Sequence, residues 1–333
     1  MNKCVTPQDF QIIDCLKNNY GISVQALTEL PLGADSNASV YRAETLEKIS
    51  YFVKLKHGHE DHISLAILKW LQQSNVQLII PPMTTKDQQS FTHMGDFTLT
   101  VYPFIEGKNG FNQNLTDDQW ITLGKGLRQV HELKVPPAIA EQLRRENFSP
   151  SFRQMVRGFY PLFEGKPFGD KISQDLLAFI KTYISVIHQL VDRSEFYAQK
   201  CQHDSAPLVL CHADIHAGNV LIAEDHSLYI VDWDVTRHTM LAPKERDLMF
   251  IGAGVGNVWN KHSEEELFYQ GYGDTQINMN LLAYYRHERI VEDIAEYVQQ
   301  LLLSTAGGEN RAIMYQHFID MFEPEGVVDR AML

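Results

Sequence analysis

The chain has 333 residues, about twice the usual domain length, of which 44% are hydrophobic and 21% charged; that composition supports buried cores in two lobes and excludes disordered and fibrous classes. Its 29 Lys and Arg against 42 Asp and Glu leave a net charge of −13, which argues against a nucleic-acid partner because that role needs a basic footprint. No apolar run approaches the roughly 20 residues of a membrane span, the first residues lack a signal-peptide core, and Cys4, Cys15, Cys201 and Cys211 are too scattered for a disulfide framework or a metal site, so the expectation is a reduced, soluble, cytoplasmic chain.

Thr6-Pro7-Gln8-Asp9 reads as an N-cap followed by proline at the first helical position, opening a helix with Phe10, Ile13 and Leu16 on one face. Strand-type runs follow at 40–43, 51–55 and 97–102, with a helical stretch at 63–71 between the second and third. The Pro103–Gly110 stretch reads as a linker. Beyond it helices dominate: Thr116 caps one carrying Trp120, Leu123, Leu127 and Val130, and a long one spans about 281–303 behind an Asn280 cap. Up to residue 106 there are 8 basic and 11 acidic residues, and beyond it 21 and 31, so the negative charge sits mainly in the helical half.

The densest chemistry is Val209-Leu210-Cys211-His212-Ala213-Asp214-Ile215-His216-Ala217-Gly218-Asn219-Val220-Leu221-Ile222, then Leu228-Tyr229-Ile230-Val231-Asp232-Trp233-Asp234. Apolar strand-like runs flank a polar loop in which Asp214 and Asn219 stand five apart, and a further strand ends in Asp232. Hard cations such as Mg²⁺ prefer oxygen ligands. Asn219 and Asp232 offer such oxygens, which leaves Asp214 free to take a proton.

This string, H-x-D-x-x-x-x-N with a strand-terminal aspartate, resembles the catalytic core of the protein-kinase-like superfamily, and its H-A-D-I-H-A-G-N-V-L form with V-D-W-D resembles the aminoglycoside phosphotransferase branch. The resemblance implies an α+β bilobal fold. A small mixed or antiparallel sheet lobe would span 1–105 and bind nucleotide, and a larger, mainly helical acceptor lobe would span 106–333, with ATP between them. It implies Asp214 as the catalytic base and Asn219 and Asp232 as ligands of Mg²⁺. It also implies phosphate contacts from Lys54 and from the Ser36-Asn37 turn, and adenine contacts from the main chain at Pro103 and Ile105. One element departs from the pattern: the glutamate that pairs with the lysine would fall near Ser64, and the closest acids are Glu60 and Asp61.

Asp232-Trp233-Asp234 is followed only eight residues later by Ala242-Pro243-Lys244-Glu245, too soon for a peptide-binding activation segment, so a small molecule is the expected acceptor. Asp247 reads as a brace for the catalytic loop. Trp259, behind the glycines at 252, 254 and 256, is a candidate aromatic wall. Glu288, Glu292 and Asp293 are candidate anionic contacts for a cationic substrate, since carboxylates bind amines through charge-assisted hydrogen bonds. Several blocks of the helical half, among them G-F-N-Q-N-L-T and Y-Y-R-H-E-R-I-V-E-D-I-A, resemble the spectinomycin-modifying members of the family, which implies an aminocyclitol antibiotic as substrate and resistance as the outcome, with a monomer or weak dimer acting away from membranes. Two alternatives stay open: a kinase for another small alcohol of the choline, homoserine or methylthioribose type, and a non-catalytic nucleotide-binding pseudokinase.

Overall fold

A computed structural model of the chain describes residues 9–30, 38–58, 62–165, 169–203, 205–233, 235–236, 238–304, 308 and 310–332. It divides into two compact units: residues 1–108 with 221–237, and residues 109–220 with 238–333.

The first unit begins with helix α1 (Asp9–Cys15), which runs on into a wider turn over Leu16–Tyr20. Its buried face is Ile12, Cys15 and Leu16, whereas Phe10 is exposed. The sequence places Ile12, Cys15 and Leu16 at i, i+3 and i+4, a narrower stripe than the expected Phe10–Ile13–Leu16 one. Five antiparallel strands follow in spatial order β1-β2-β3-β5-β4: β1 (Val24–Leu30), β2 (Ala38–Thr45), β3 (Ser50–His57), β4 (Thr92–Met94) and β5 (Phe97–Pro103). Alternation along the central strands buries Tyr41 and Ala43, Val53 and Leu55, and Leu99 and Val101 against α1, forming this unit's core. Helix α2 (His62–Gln73) lies in the connection between β3 and β4.

The stretch read as a linker contains a strand, β6 (Gly107–Asn109). It joins a three-stranded sheet with β8 (Val220–Ala223) and β9 (Leu228–Ile230), which follow β7 (Val209–Cys211) along the chain. That pairing is why 221–237 packs with the N-terminal half although a split at residue 105 would assign it to the helical one. The Ile230 N–H also donates to the Leu78 carbonyl at 2.8 Å.

The second unit is helical. Helix α3 (Asp117–Glu132) starts at Thr116, whose hydroxyl accepts from the Gln119 N–H while the Gln119 side chain accepts from the Thr116 N–H, so two orphan donors are satisfied at once. The short α4 (Pro137–Ala140) leads to α5 (Ser151–Glu164) and the 31-residue α6 (Lys171–Cys201). Strand β10 (Met240–Ala242) pairs antiparallel with β7, followed by α7 (Glu245–Leu248), α8 (His262–Tyr272), α9 (Met279–Tyr297), α10 (Asn310–Asp320) and α11 (Val327–Met332). The cap of α9 is Asn278, whose side chain accepts from the N–H groups of Asn280 and Leu281, two residues ahead of the expected Asn280. Leu176, Ile180, Ile187 and Leu190 of α6 meet Val291 and Ile294 of α9, with Phe163 and Phe318 closing the core.

Helices α3 and α8 touch backbone to backbone. A Cβ on Gly124 would lie 2.1 Å from the Phe268 carbonyl oxygen, and one on Gly271 would lie 2.0 Å from that of Ile121. Backbone atoms cannot yield as side chains do, so Gly124→Ala is expected to lower the unfolding free energy by at least about 1–3 kcal/mol, read as a reduced urea midpoint at unchanged slope. An unchanged midpoint would show that the two helices separate freely.

Candidate active site

In the second unit the loop between β7 and β8 is built around a buried aspartate, Asp214. Between β7 and β8 the chain turns through Ala213, a non-glycine residue at φ 66°, a region costly for L-residues. Asp247 of α7 holds this turn: its Oδ1 accepts from the Ala213 N–H at 2.6 Å and its Oδ2 from the His212 N–H at 3.1 Å. The Asp247 carboxylate is itself held by His131 Nε2 at 3.0 Å, and His131 Nδ1 meets the Tyr272 hydroxyl at 2.8 Å. All of these are buried. Cys211 lies in the same cluster, where burial pushes its thiol well above the ordinary range; it serves as a weak donor to the Ala242 and Pro243 carbonyls. Asp247 is therefore the brace that the sequence suggested.

The turn presents Asp214, whose backbone is fixed by its own loop. The Asp214 carbonyl accepts from the His216 N–H at 2.9 Å and from Asn219 Nδ2 at 2.9 Å, and its N–H donates to His212 Nδ1 at 3.3 Å. Asn219 Nδ2 also lies 3.3 Å from Asp214 Oδ2. Both acceptors sit on the amide nitrogen side, which fixes the orientation of the Asn219 amide and leaves its Oδ1 without a partner among the described residues. An oxygen so placed suits a hard cation.

Although burial opposes its charge, Asp214 is held far below the usual carboxylate range by the Arg289 guanidinium, with His216 and His238 adding to it. Arg289 Nη1 lies 2.8 Å from Asp214 Oδ1; His216 Nε2 and His238 Nε2 lie 3.5 and 3.7 Å from Oδ2. His216 Nδ1 accepts from the Gly218 N–H at 3.0 Å, which puts its proton on Nε2, toward Asp214. Burial lowers the His238 ring below its ordinary range, while Asp214 pulls the other way.

The first unit carries the other expected residues. Lys54 is half-buried on β3, opposite Val40 of β2 and Thr100 of β5. Pro103 closes β5, and Phe104 beyond it donates its N–H to the Ser50 carbonyl, leaving the half-buried Ile105 past the sheet edge. Asp232 is exposed at φ 66° immediately before Trp233, whose buried indole N–H donates to the Ile230 carbonyl at 3.0 Å. Ser64, where the family's glutamate was expected, accepts from the Val235 N–H at 3.0 Å instead. Ser36, Asn37, Glu60 and Asp61 lie outside the described residues.

Residues 28–242 match the phosphotransferase enzyme family. The chain belongs to that family. It is 47% identical to a spectinomycin phosphotransferase solved in complex with ADP and spectinomycin, with a TM-score of 0.93 and 98% of each chain covered. An AMP-bound complex of spectinomycin phosphotransferase is 46% identical, with a TM-score of 0.90 over 98% of this chain and 99% of that one. At 14% identity, an aminoglycoside phosphotransferase from Alicyclobacillus acidocaldarius shares the fold, with a TM-score of 0.67 over 99% and 97% of the two chains. The expected α+β, protein-kinase-like fold and the phosphotransferase reaction class both hold.

Two of the substrate candidates occupy other roles in this phosphotransferase. Glu288 is buried in an ion pair with Arg153 of α5 and accepts from the Ser194 hydroxyl of α6. Burial pushes its carboxyl up while Arg153 opposes that shift. With a guanidinium that stays charged, the pair is ionic, and Glu288 ties three helices together. Trp259 is 6% exposed and packs edge-on against Trp120 at 5.1 Å between centroids; it is core and not a wall. An exposed aromatic beside the Asp214 loop is Phe111, 42% accessible and stacked on His216 at 5.6 Å. Gly256, at φ 67°, passes so close that a Cβ there would lie 2.4 Å from the Phe111 ring.

Glu292 and Asp293 keep exposed edges on α9. Glu292 lies 3.8 Å from Arg246 Nη2, and Asp293 lies 3.1 Å from Arg289 Nε. Burial and neighbouring carboxylates push Asp293 up to about 6 against the pull of Arg289. Sequence reasoning passed over Phe111, His238 and Arg289 as site residues. His216 stood in the motif without a role. Arg289 reaches Asp214 across 75 positions, and no local pattern announces that.

Proposed function

We propose that this phosphotransferase moves the γ-phosphoryl group of ATP to a hydroxyl of an aminocyclitol antibiotic, with spectinomycin as the acceptor. The observation that carries this reading is the 47% identity over 98% of both chains to a spectinomycin phosphotransferase solved with ADP and spectinomycin. The buried, ionised Asp214 supports the reaction class. Asp214 Oδ2 accepts the hydroxyl proton while the hydroxyl oxygen bonds to the γ-phosphorus and the bond to the ADP oxygen breaks. The protein contributes mainly position and charge, because the transition state of phosphoryl transfer is loose. Lys54 meets the α- and β-phosphates, Ser36 and Asn37 contribute further phosphate contacts, and the main chain at Pro103 and Ile105 meets the adenine edge. Asn219, through its unengaged Oδ1, and Asp232, through its exposed carboxylate, are the residues that would hold Mg²⁺. When bound, the ion neutralises phosphate charge.

Glu292 and Asp293 receive the ammonium groups of the acceptor, in keeping with the negative balance of the helical half. Phe111, stacked on His216 beside Asp214, gives that acceptor an apolar face. Dependence on ATP places the enzyme in the cytoplasm, and its physiological outcome is antibiotic resistance.

Acceptor-dependent ADP formation tests the reading, with spectinomycin set against choline, homoserine and methylthioribose. ADP released with spectinomycin and not with the others is expected; release with one of the others alone would move the enzyme to that acceptor class. Lys54→Ala is expected to raise the KM for ATP by about 10-fold or more, one lost phosphate contact being worth roughly 1.5–3 kcal/mol, while the KM for the acceptor stays put. An unchanged ATP KM would remove Lys54 from nucleotide binding.

A further inference from the structure

The two oxygens of the Asp214 carboxylate are not equivalent. Oδ1 receives Arg289 Nη1 at 2.8 Å, a charge-assisted bond at ordinary strong length. Oδ2 has only longer approaches: Asn219 Nδ2 at 3.3 Å, His216 Nε2 at 3.5 Å and His238 Nε2 at 3.7 Å. Oδ1 is held by one strong bond, and Oδ2 only by longer, weaker contacts that an acceptor hydroxyl can displace. Without Arg289, nothing of comparable strength stops the carboxylate from turning about its last side-chain torsion, which is soft for aspartate.

Arg289 is itself held. Asp293, one turn further along α9, meets its Nε at 3.1 Å, and its guanidinium lies 6.0 Å from the centre of the Phe250 ring. Glu292 and Glu296 of the same helix add their charge to the field that stabilises the cation. The Arg289 and Asp214 side chains are 16% and 9% exposed, so the pair is little screened by salt. Two nitrogens of one rigid plane thus address two carboxylates on different elements. A lysine, with a single point of charge, cannot reproduce that geometry.

We propose that Arg289 is the positioning residue of phosphoryl transfer: clamped by Asp293, it fixes Oδ1 of Asp214 and so keeps Oδ2 turned toward the acceptor hydroxyl. The inference rests on the reading of Asp214 as the base. A cation beside a base weakens it, but in a reaction governed by position and electrostatics a fixed orientation outweighs basicity.

The test compares kcat, acceptor KM and ATP dissociation constant for Arg289→Ala, Arg289→Lys and Asp214→Asn in the full chain with spectinomycin. Arg289→Ala is expected to lose about 10²-fold in kcat, the scale of a misplaced reacting group, with acceptor KM and ATP binding unchanged. Arg289→Lys keeps the buried charge paired and recovers part of that loss. Added guanidinium ion restores turnover to Arg289→Ala and does nothing for Asp214→Asn. Wild-type kcat in both Arg289 variants overturns the proposal. So does a loss that merely follows the fraction of protein competent to bind ATP and does not respond to guanidinium. Should Arg289→Ala fail to fold, Arg289→Lys decides alone: reduced kcat at constant KM supports the clamp and wild-type kcat removes it. Full turnover in Asp214→Asn instead sinks the assignment of the base, which separates the two failures.

Discussion

Asp214→Asn is expected to lower kcat for the acceptor by about 10²–10⁴-fold, the usual contribution of a positioned general base, while ATP binds as before. Asparagine is the informative replacement because it keeps the shape of the side chain. The Ala213 turn is held by Asp247 through backbone N–H groups that the Asp214 side chain does not touch, so it has no reason to relax. What is lost is the charged acceptor and the ion pair with Arg289. A drop confined to kcat identifies a group needed in the transition state; a rise in acceptor KM at constant kcat would identify a binding group instead.

The second large effect concerns stability. Arg153 is 1% exposed and its Glu288 partner 9%. The same guanidinium also reaches Glu195 at 3.1 Å and the Phe148 carbonyl at 3.0 Å. Arg153→Met leaves Glu288 buried with only the Ser194 hydroxyl for company. An uncompensated buried charge costs roughly 3–5 kcal/mol, and a matching loss of unfolding free energy is expected in guanidinium chloride. Removing the second charge as well, in Arg153→Met with Glu288→Leu, is expected to recover most of that loss, because desolvation no longer has to be compensated; Glu195 is part-exposed and can turn to water. Strictly additive losses in the two single variants and the double variant would deny the coupling. The same series tests the reassignment of Glu288. Folded Glu288→Gln should leave the acceptor KM unchanged, and a rise in that KM would return the residue to the substrate site.

What could be read from the sequence follows from how far its physics reaches. The stretch that carries Asp214, Asn219 and Asp232 stood out because the three lie close to the ends of β7, β8 and β9, whose apolar runs mark the strands in the sequence, so oxygen chemistry and spacing arrive together. Thr116 and Gln119 were legible for the same reason: a cap is a contact over three positions. The Glu288 partner stands 135 positions away, and the charge pattern of α9 cannot say which carboxylates turn inward. Glycines before Trp259 suggested an aromatic wall for a ligand, whereas Trp120, far off on α3, packs against the indole. The α1 face was misjudged because two candidate stripes, one through Phe10 and one through Ile12, differ only in what the neighbouring sheet covers. Strand β6 hid in a segment of turn-forming residues since its partner, β8, lies more than a hundred residues on.

The decisive measurement is mass spectrometry of spectinomycin after incubation with the full chain, ATP and Mg²⁺, run beside Asp214→Asn. An antibiotic carrying one added phosphoryl group is expected with the wild-type chain and unmodified antibiotic with the variant. Unmodified spectinomycin from a chain that binds ATP, or equal modification by both proteins, would contradict this reading.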